Sequence, residues 1–343
     1  VSVTRLAMIG TRGHYRTVLN ELPSLDPLRL VGVASGGPGD PVDPLAQWAR
    51  DNGHAPRVCD DWRELFDATR PHLLVVCGPF ELHARMCIEA VERGIHVLTE
   101  KPAALTRDDL AELADGCRRN PRVHLAGMMF SRYDPGFYTA RQLIAAGAIG
   151  DVRLLNARKS YKLGARAAYY HDRATYGGTI PWVGSHAIDW VMWLSGHHFR
   201  GVFATHSTTG NGGHGTMEAT AACHFTLCNG RAATVSIDVL RPSAAPTHGD
   251  DWIRVVGTAG VLEARPQSLQ LVNAGHDGKT PYPVACDRTP VRDLVDAITG
   301  RRPGLIGTLD TLALTDACLA ARASADEGRP IAIEKLSLTT PTT

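Results

Sequence analysis

The first run that could do chemistry is Gly10-Thr11-Arg12-Gly13-His14-Tyr15, between the apolar stretch RLAMIG (5–10) and a helical pattern. A glycine-rich turn there suits a dinucleotide pyrophosphate, because backbone N–H groups and the helix dipole receive its charge. Of the fingerprint G-x-G-x-x-G only the first glycine is present, as Gly10. Arg12 and Tyr15 hold the other two positions, with Gly13 between them. A glycine turn in some other α/β fold therefore fits about as well. About 20 residues on, an acid ordinarily holds the adenosine ribose. Here the second strand ends Val33-Ala34-Ser35-Gly36-Gly37, without one. Ser35 leaves room for a 2′-phosphate that Arg12 or Arg16 could pair with, a lean to NADP over NAD. Ser35 as a plain turn residue is the alternative.

Two further side chains could move protons. Lys101 follows the apolar run IHVLTE (95–100), at the carboxyl edge where open α/β sheets bind ligands. Oxidising a carbinol carbon requires its hydroxyl proton to leave, and a desolvated ammonium has a lowered pKa suited to that exchange. The plain alternative is a solvated lysine in a turn. His186 lies in a helical apolar pattern with Ile188, Val191, Met192 and Leu194. A lone histidine there is ordinarily a satisfied core residue. Asp189 shares its helical face and could orient the ring.

The elements that must carry these residues change character along the chain. Up to about residue 130, apolar runs (5–10, 28–34, 72–78, 95–100, 123–129) alternate with helical patterns (16–22, 45–52, 83–93, 107–117). Near-continuous Val/Leu/Ile runs of that kind indicate a parallel sheet covered on both faces. After about residue 150, strand patterns (151–161, 201–208, 218–227, 232–240, 252–258, 268–274) dominate and read as a largely antiparallel open sheet. A long helical pattern, 308–327, ends at Gly328 before Pro330. The expected division is a dinucleotide-binding domain over 1–127, a substrate-binding and oligomerisation α+β domain over 128–335, and a disordered tail over 336–343.

Lys+Arg 36 against Asp+Glu 35 gives a formal charge of +1 in 343 residues, too little to steer nucleic acid or an anionic membrane. No apolar run approaches the roughly 18 residues of a membrane span. The eight cysteines include no C-x-x-C pair, which speaks against a zinc ribbon and for reduced thiols in a cytoplasmic protein. No metal site is expected.

The runs V-C-G-P-F-E-L-H (76–83) and I-H-V-L-T-E-K-P (95–102), then Gly177-Gly178, G-S-H-A-I-D (184–189) and W-L-S-G (193–196), together resemble the glucose–fructose oxidoreductase / inositol dehydrogenase / rhizopine-catabolism family, Gfo/Idh/MocA. Arg132, Gly147, Gly150-Asp151-Val152, the turn 255–260 and the helix end 324–329 fit the same pattern. The resemblance implies an N-terminal Rossmann-type sheet and a C-terminal α+β domain. It implies a nicotinamide cofactor, NAD(P), held by Gly10, Thr11, Arg12, Gly13, His14, Ser35, Gly78, Pro79, His83, Glu100, Lys101 and Pro102, with a cis bond before Pro102. It implies catalytic roles for Lys101 and His186. Two departures stand out. Gly78 replaces the family's Thr, and Trp182 replaces the Asp four residues before the histidine. Trp182 could stack on a sugar face. Tyr161, Lys162, Tyr170, His171 and Asp189 are the other candidate substrate contacts, beside Tyr169 and Asp172. Lys159, Lys162 and Arg166 could receive a carboxylate.

The expected function is an NAD(P)-dependent oxidoreductase acting on a secondary alcohol or ketone of a sugar, cyclitol or related polyol. Two other readings stay open: a redox-assisted sugar lyase or hydrolase with transient NAD use, and a non-catalytic dinucleotide-binding regulator. The resemblance also implies a homodimer or homotetramer.

Overall fold

A computed structural model describes residues 3–37 and 39–338. The chain falls into two units. The first is built mainly from Val1–Met128 with Arg288–Leu312, the second from Met129–Asp287 with Ala313–Lys335.

In the first unit, strands β1 (Arg5–Ile9), β2 (Arg29–Ala34), β3 (Arg57–Cys59), β4 (Leu73–Val76), β5 (His96–Thr99) and β6 (Leu125–Gly127) form one sheet, in the order β3-β2-β1-β4-β5-β6. Every pairing is parallel. Helices α1 (Tyr15–Glu21), α2 (Asp43–Asp51), α3 (Trp62–Thr69), α4 (His83–Glu92) and α5 (Arg107–Arg119) make the crossovers. Leu6 to Ile9 and Leu73 to Val76 are fully buried, which is why those strands are apolar at every position rather than alternating. The strand order reverses between β1 and β4, so their carboxyl ends open the crevice in which such sheets bind ligands.

In the second unit, β7 (Val152–Ser160), β8 (Phe199–Ser207), β9 (Thr220–Leu227), β10 (Ala232–Asp238), β11 (Trp252–Gly257), β12 (Gly260–Arg265), β13 (Ser268–Asn273), β14 (His276–Asp277) and β15 (Ile331–Ala332) form a sheet of order β14-β13-β12-β11-β7-β10-β9-β8-β15. All pairings are antiparallel except β7 with β10. Burial alternates along β9 and β10, so one face is core and the other is open. Helices α6 (Pro135–Ala145), α7 (Arg173–Tyr176) and α8 (Ser185–Ser195) belong to this unit. A π-helical turn over Ile180–Gly184 leads directly into α8. Gly184 lets that turn lie against β10: a Cβ there would come within 2.4 Å of the Ile237 side chain. Helix α9 (Pro290–Ile298) returns to the first unit, and α10 (Thr308–Glu327) continues from the first unit's segment into the second's.

The structure carries the expected parallel sheet and the mostly antiparallel one, and it corrects the elements in places. The β3–α3 pair, α6, β12 and α9 were not anticipated. The run 123–129 yields only Leu125–Gly127 as strand. Residues 336–338 have no regular structure, and the rest of the expected tail lies outside the described residues. All eight cysteines are free, and six are buried. Among the described residues no helix is long and apolar enough to cross a membrane, and no cluster of three metal-binding side chains occurs.

Candidate functional site

The first unit gathers the expected cofactor residues at the carboxyl edge of its sheet. Gly10 leaves β1 with φ 78°, and a Cβ there would lie 2.4 Å from the Cys77 carbonyl oxygen and 2.5 Å from Gly78 Cα. Only glycine therefore lets the ends of β1 and β4 meet. The Arg12 N–H donates to the Cys77 carbonyl at 2.7 Å. The Arg12 guanidinium lies 3.9 Å from the Glu81 carboxylate, just beyond Pro79. The buried His83 ring lies between the carbonyls of Gly78 and Pro102, each 3.0 Å from a ring nitrogen, and the single N–H of its neutral form donates to one of them. Burial pushes its pKa down, toward the neutral ring. The Lys101–Pro102 bond is cis, as the resemblance implies.

Glu100 sits at the centre of this edge with no exposed surface. Its carboxylate accepts the His14 N–H, contacts His14 Nδ1, and accepts the Lys101 N–H at 3.0 Å. The Lys101 ammonium lies 3.5 Å from Oε2, the same oxygen that accepts the Lys101 N–H, and is itself buried. Burial alone would raise the Glu100 pKa. The His14 and Lys101 charges and the His14 hydrogen bonds outweigh it and hold the carboxyl well below the usual range. Lys101 Nζ is thus set beside a fixed carboxylate.

The turn fits a dinucleotide. Its Gly10 position leaves no room for a side chain, and the amides of Gly13, Tyr15 and Arg16 meet no acceptor among the described residues, as expected of a helix start. The Thr11 and His14 amides are already taken, by Asp40 and Glu100.

In the second unit, α8 is fixed by a buried ion pair. The Arg132 guanidinium grips Asp189 through Nε at 3.0 Å and Nη2 at 2.6 Å, with both side chains at most 1% exposed. The Trp190 indole N–H donates to Ser131 Oγ at 2.8 Å, and Phe137 stacks on Trp190. From Tyr176 to Val191 every residue is buried except His186. His186 is therefore the one side chain of that stretch left partly exposed.

Trp182 lies in the π-helical turn, one turn before His186. Its ring packs against Tyr170 at 4.3 Å, edge-on to Tyr161 at 6.0 Å and Tyr176 at 5.8 Å, and is only 6% exposed. The Arg166 guanidinium lies 5.2 Å from it. Little of its face is left to stack on a sugar. The structure thus brings Trp182, Tyr161 and Tyr170 together. It places the other expected contacts differently. Lys162 Nζ donates to the Ser243 and Ala245 carbonyls at 2.8 and 2.5 Å. The His171 ring lies against His214, and Asp189 is engaged by Arg132. Burial pushes the Tyr161 and Tyr170 phenols up, so both stay protonated at neutral pH.

Residues 4–128 match the model of an oxidoreductase family with an NAD-binding Rossmann fold, and residues 137–263 match the GFO/IDH/MocA C-terminal domain. The chain belongs to the Gfo/Idh/MocA family. Among its relatives is the levoglucosan dehydrogenase of Pseudarthrobacter phenanthrenivorans, 30% identical over 155 residues, which are 43% of this chain and 39% of that one. The match thus spans about two fifths of that relative's length. The rhizopine catabolism protein MocA of Rhizobium meliloti is 28% identical over 230 residues, 65% of this chain and 69% of that one. A candidate oxidoreductase structure from Thermotoga maritima is 39% identical, with a TM-score of 0.91, covering 96% of this chain and 100% of that one.

Within this family frame, two acids stand out that sequence reasoning missed. Asp40 is 4% exposed and folds back to the end of β2. Its Oδ2 accepts the Gly36 N–H at 3.0 Å, and its Oδ1 lies 3.4 and 3.3 Å from the Thr11 amide and hydroxyl. The premise behind the lean to NADP, a strand end without an acid, is therefore corrected. Ser35 Oγ is spent locally, between the Gly37 and Asp40 carbonyls at 2.9 and 2.8 Å. No fixed spacing could have found Asp40, because it reaches the strand end through a glycine-rich loop.

The second acid is Asp134, at the start of α6. Burial first, then repulsion from Asp251, lifts its pKa from 3.8 to about 6, against the pull of Lys159. The protonated form is the one the fold favours. Its stabilisation is complete below about pH 4 and is lost as pH rises through about 6. Asp134 makes no side-chain capping bond. Asp134→Asn should therefore unfold at higher urea than wild type at pH 8, by about 1–3 kcal/mol, with the gap closing by pH 4. A gap independent of pH would show that the carboxyl charge is not its source.

Proposed function

We propose that this protein is a nicotinamide-dependent oxidoreductase that interconverts a secondary alcohol and a ketone on a sugar, cyclitol or related polyol. Lys101 and His186 are its polar, proton-transfer groups. The observation that carries this reading is the buried Lys101 ammonium held on the Glu100 carboxylate, beside a turn suited to a dinucleotide. The family and the names of its relatives support the same chemistry.

The glycine turn, with Arg12 and the amides of Gly13, Tyr15 and Arg16, would hold the pyrophosphate. When bound, the nicotinamide supplies the hydride acceptor or donor. One Lys101 N–H faces Glu100, leaving others to donate to a substrate oxygen and a ribose hydroxyl. His186 is the one residue of the 176–191 stretch that is not buried, and an imidazole can both give and take a proton, so it takes or returns the hydroxyl proton. Lys101→Ala and His186→Ala should each lower kcat/KM by about 10²–10⁴ on whichever sugar or cyclitol a panel shows to be turned over. His186→Ala should leave dinucleotide affinity unchanged. Wild-type turnover in either variant would refute that residue's role. Product formed without net change in nicotinamide absorbance would mark the redox-assisted lyase or hydrolase reading instead.

For the cofactor we propose NAD. A carboxylate at the end of β2 repels a 2′-phosphate and suits ribose hydroxyls. Asp40 is the group that stands there. Titrating both cofactors should give tighter NAD binding, and Asp40→Ser should narrow the difference by about tenfold. Tighter NADP binding by wild type would overturn this choice.

The open face of the nine-stranded sheet carries Phe203 on β8 and Leu154 on β7, each exposed by about 40%. We propose that this face pairs with a second copy, as a dimer or tetramer. Light scattering that returns the monomer mass at micromolar concentration would refute the pairing.

A further inference from the structure

The basic residues around the Trp182 cluster differ in how their charge is met. Lys159 Nζ binds Asp251 at 2.6 Å. Arg158 binds Asp250 at 2.7 Å, and Arg241 lies 3.6 Å from the same carboxylate. Lys162 is held by two carbonyls. Arg166 has no carboxylate within ion-pair distance among the described residues. Its one hydrogen bond is a long one, from Nη2 to the Lys162 carbonyl at 3.4 Å. Its Nε is buried and meets no acceptor.

Three rings hold this cation in place. The guanidinium carbon lies 5.2 Å from the Trp182 centroid, 5.4 Å from Tyr161 and 5.9 Å from Tyr170. Aromatic faces attract a guanidinium and strip part of its hydration, yet they accept none of its in-plane hydrogen bonds. The result is a positioned fork with its polar edge unanswered. The neighbourhood registers the charge. Besides burial, Arg166 leads the cations that push the His248 ring down, ahead of Lys159 and Lys162. The family's Asp position is itself occupied by Trp182, which removes the carboxylate that could have answered Arg166 from within the chain.

We propose that Arg166 receives a carboxylate of the substrate, so that the substrate class is an acidic sugar rather than a neutral polyol. The two outer Nη groups of a guanidinium match the two oxygens of a carboxylate, and a cation whose charge no carboxylate of the chain meets favours the ligand that meets it. Arg166 then determines specificity. It touches the substrate away from the reacting carbon, and its aromatic cage keeps the fork oriented before the substrate arrives. The inference rests on the oxidoreductase reading for the identity of the ligand as substrate, whereas acid recognition by Arg166 can be read from binding alone.

The test is binding by titration calorimetry to the full chain, with matched pairs: glucuronate against glucose and galacturonate against galactose, with glucose 6-phosphate as a second anion. The acid of at least one pair should bind about 10- to 100-fold more tightly than its neutral partner. Arg166→Gln should abolish that preference while the affinity for dinucleotide stays unchanged, and Arg166→Lys should recover only part of it. Equal binding of acid and neutral sugar in both pairs, or no binding of either acid, overturns the proposal. So does a preference that survives Arg166→Gln. Tighter binding of the phosphate than of either carboxylate also overturns the carboxylate assignment. Acid preference without turnover would sustain the role of Arg166 and count against the oxidoreductase reading, so the two failures are distinguishable.

Discussion

The buried carboxylate of Glu100 is the constraint around which the first unit's site is arranged. A carboxylate without solvent costs several kcal/mol unless its charge and lone pairs are met. Here the His14 amide and ring and the Lys101 amide and ammonium meet them. Each partner is fixed in return. Gly13 can be nothing larger, because a Cβ would fall 2.1 Å from the Glu100 oxygen. The glycine turn after β1 and the lysine after β5 are therefore two ends of one electrostatic unit. The degenerate fingerprint reflects this. The turn is shaped by an internal anion as well as by its glycines, and it tolerates Arg12 where a second glycine would ordinarily stand.

The second unit solves the same problem with the signs reversed. Arg132 is the buried cation, and Asp189 answers it through two parallel hydrogen bonds. Such a pair adds little net stability compared with apolar residues of similar volume, but its two-point geometry fixes orientation. It sets the rotation of α8, and with it the direction in which His186 leaves the helix. Gly184 sets the distance of the preceding turn from β10. Together, these internal contacts leave His186 as the one residue of the 176–191 stretch that is not buried.

Much of this was legible in the sequence, and what was not has physical causes. Both sheets could be read from their strand patterns, near-continuously apolar and interleaved with helices in the first, and following one another with few helices between in the second. The three-residue β3 is too short for either period to register, and α6 and α9 each begin at a proline that reads equally well as a loop. Lys101, Glu100 and His83 were found through their motif, and their mutual contacts follow from strands that end at one edge. Asp40 was missed because its position depends on how a glycine-rich loop closes. The expected contacts of the second unit were harder still. Lys162 and Asp189 are consumed by partners distant in sequence, and neither a carbonyl 81 residues away nor a guanidinium 57 residues away leaves a local signature.

The substitution of Trp182 for an acid has a consequence for proton traffic in the second unit. Tyr161 and Tyr170 are held protonated by burial, so neither can act as a base near neutrality. Asp189 is committed to Arg132 and Asp251 to Lys159. An acid four residues before His186 would have added a second proton carrier one turn away. The tryptophan adds none, and its ring instead helps to hold a cation. On the proposed reading, proton exchange with the substrate on this side is assigned to His186. If the two proposals hold, residue 182 bears on both: a tryptophan there adds no proton carrier, and it supplies no carboxylate to the Arg166 guanidinium 5.2 Å from its ring.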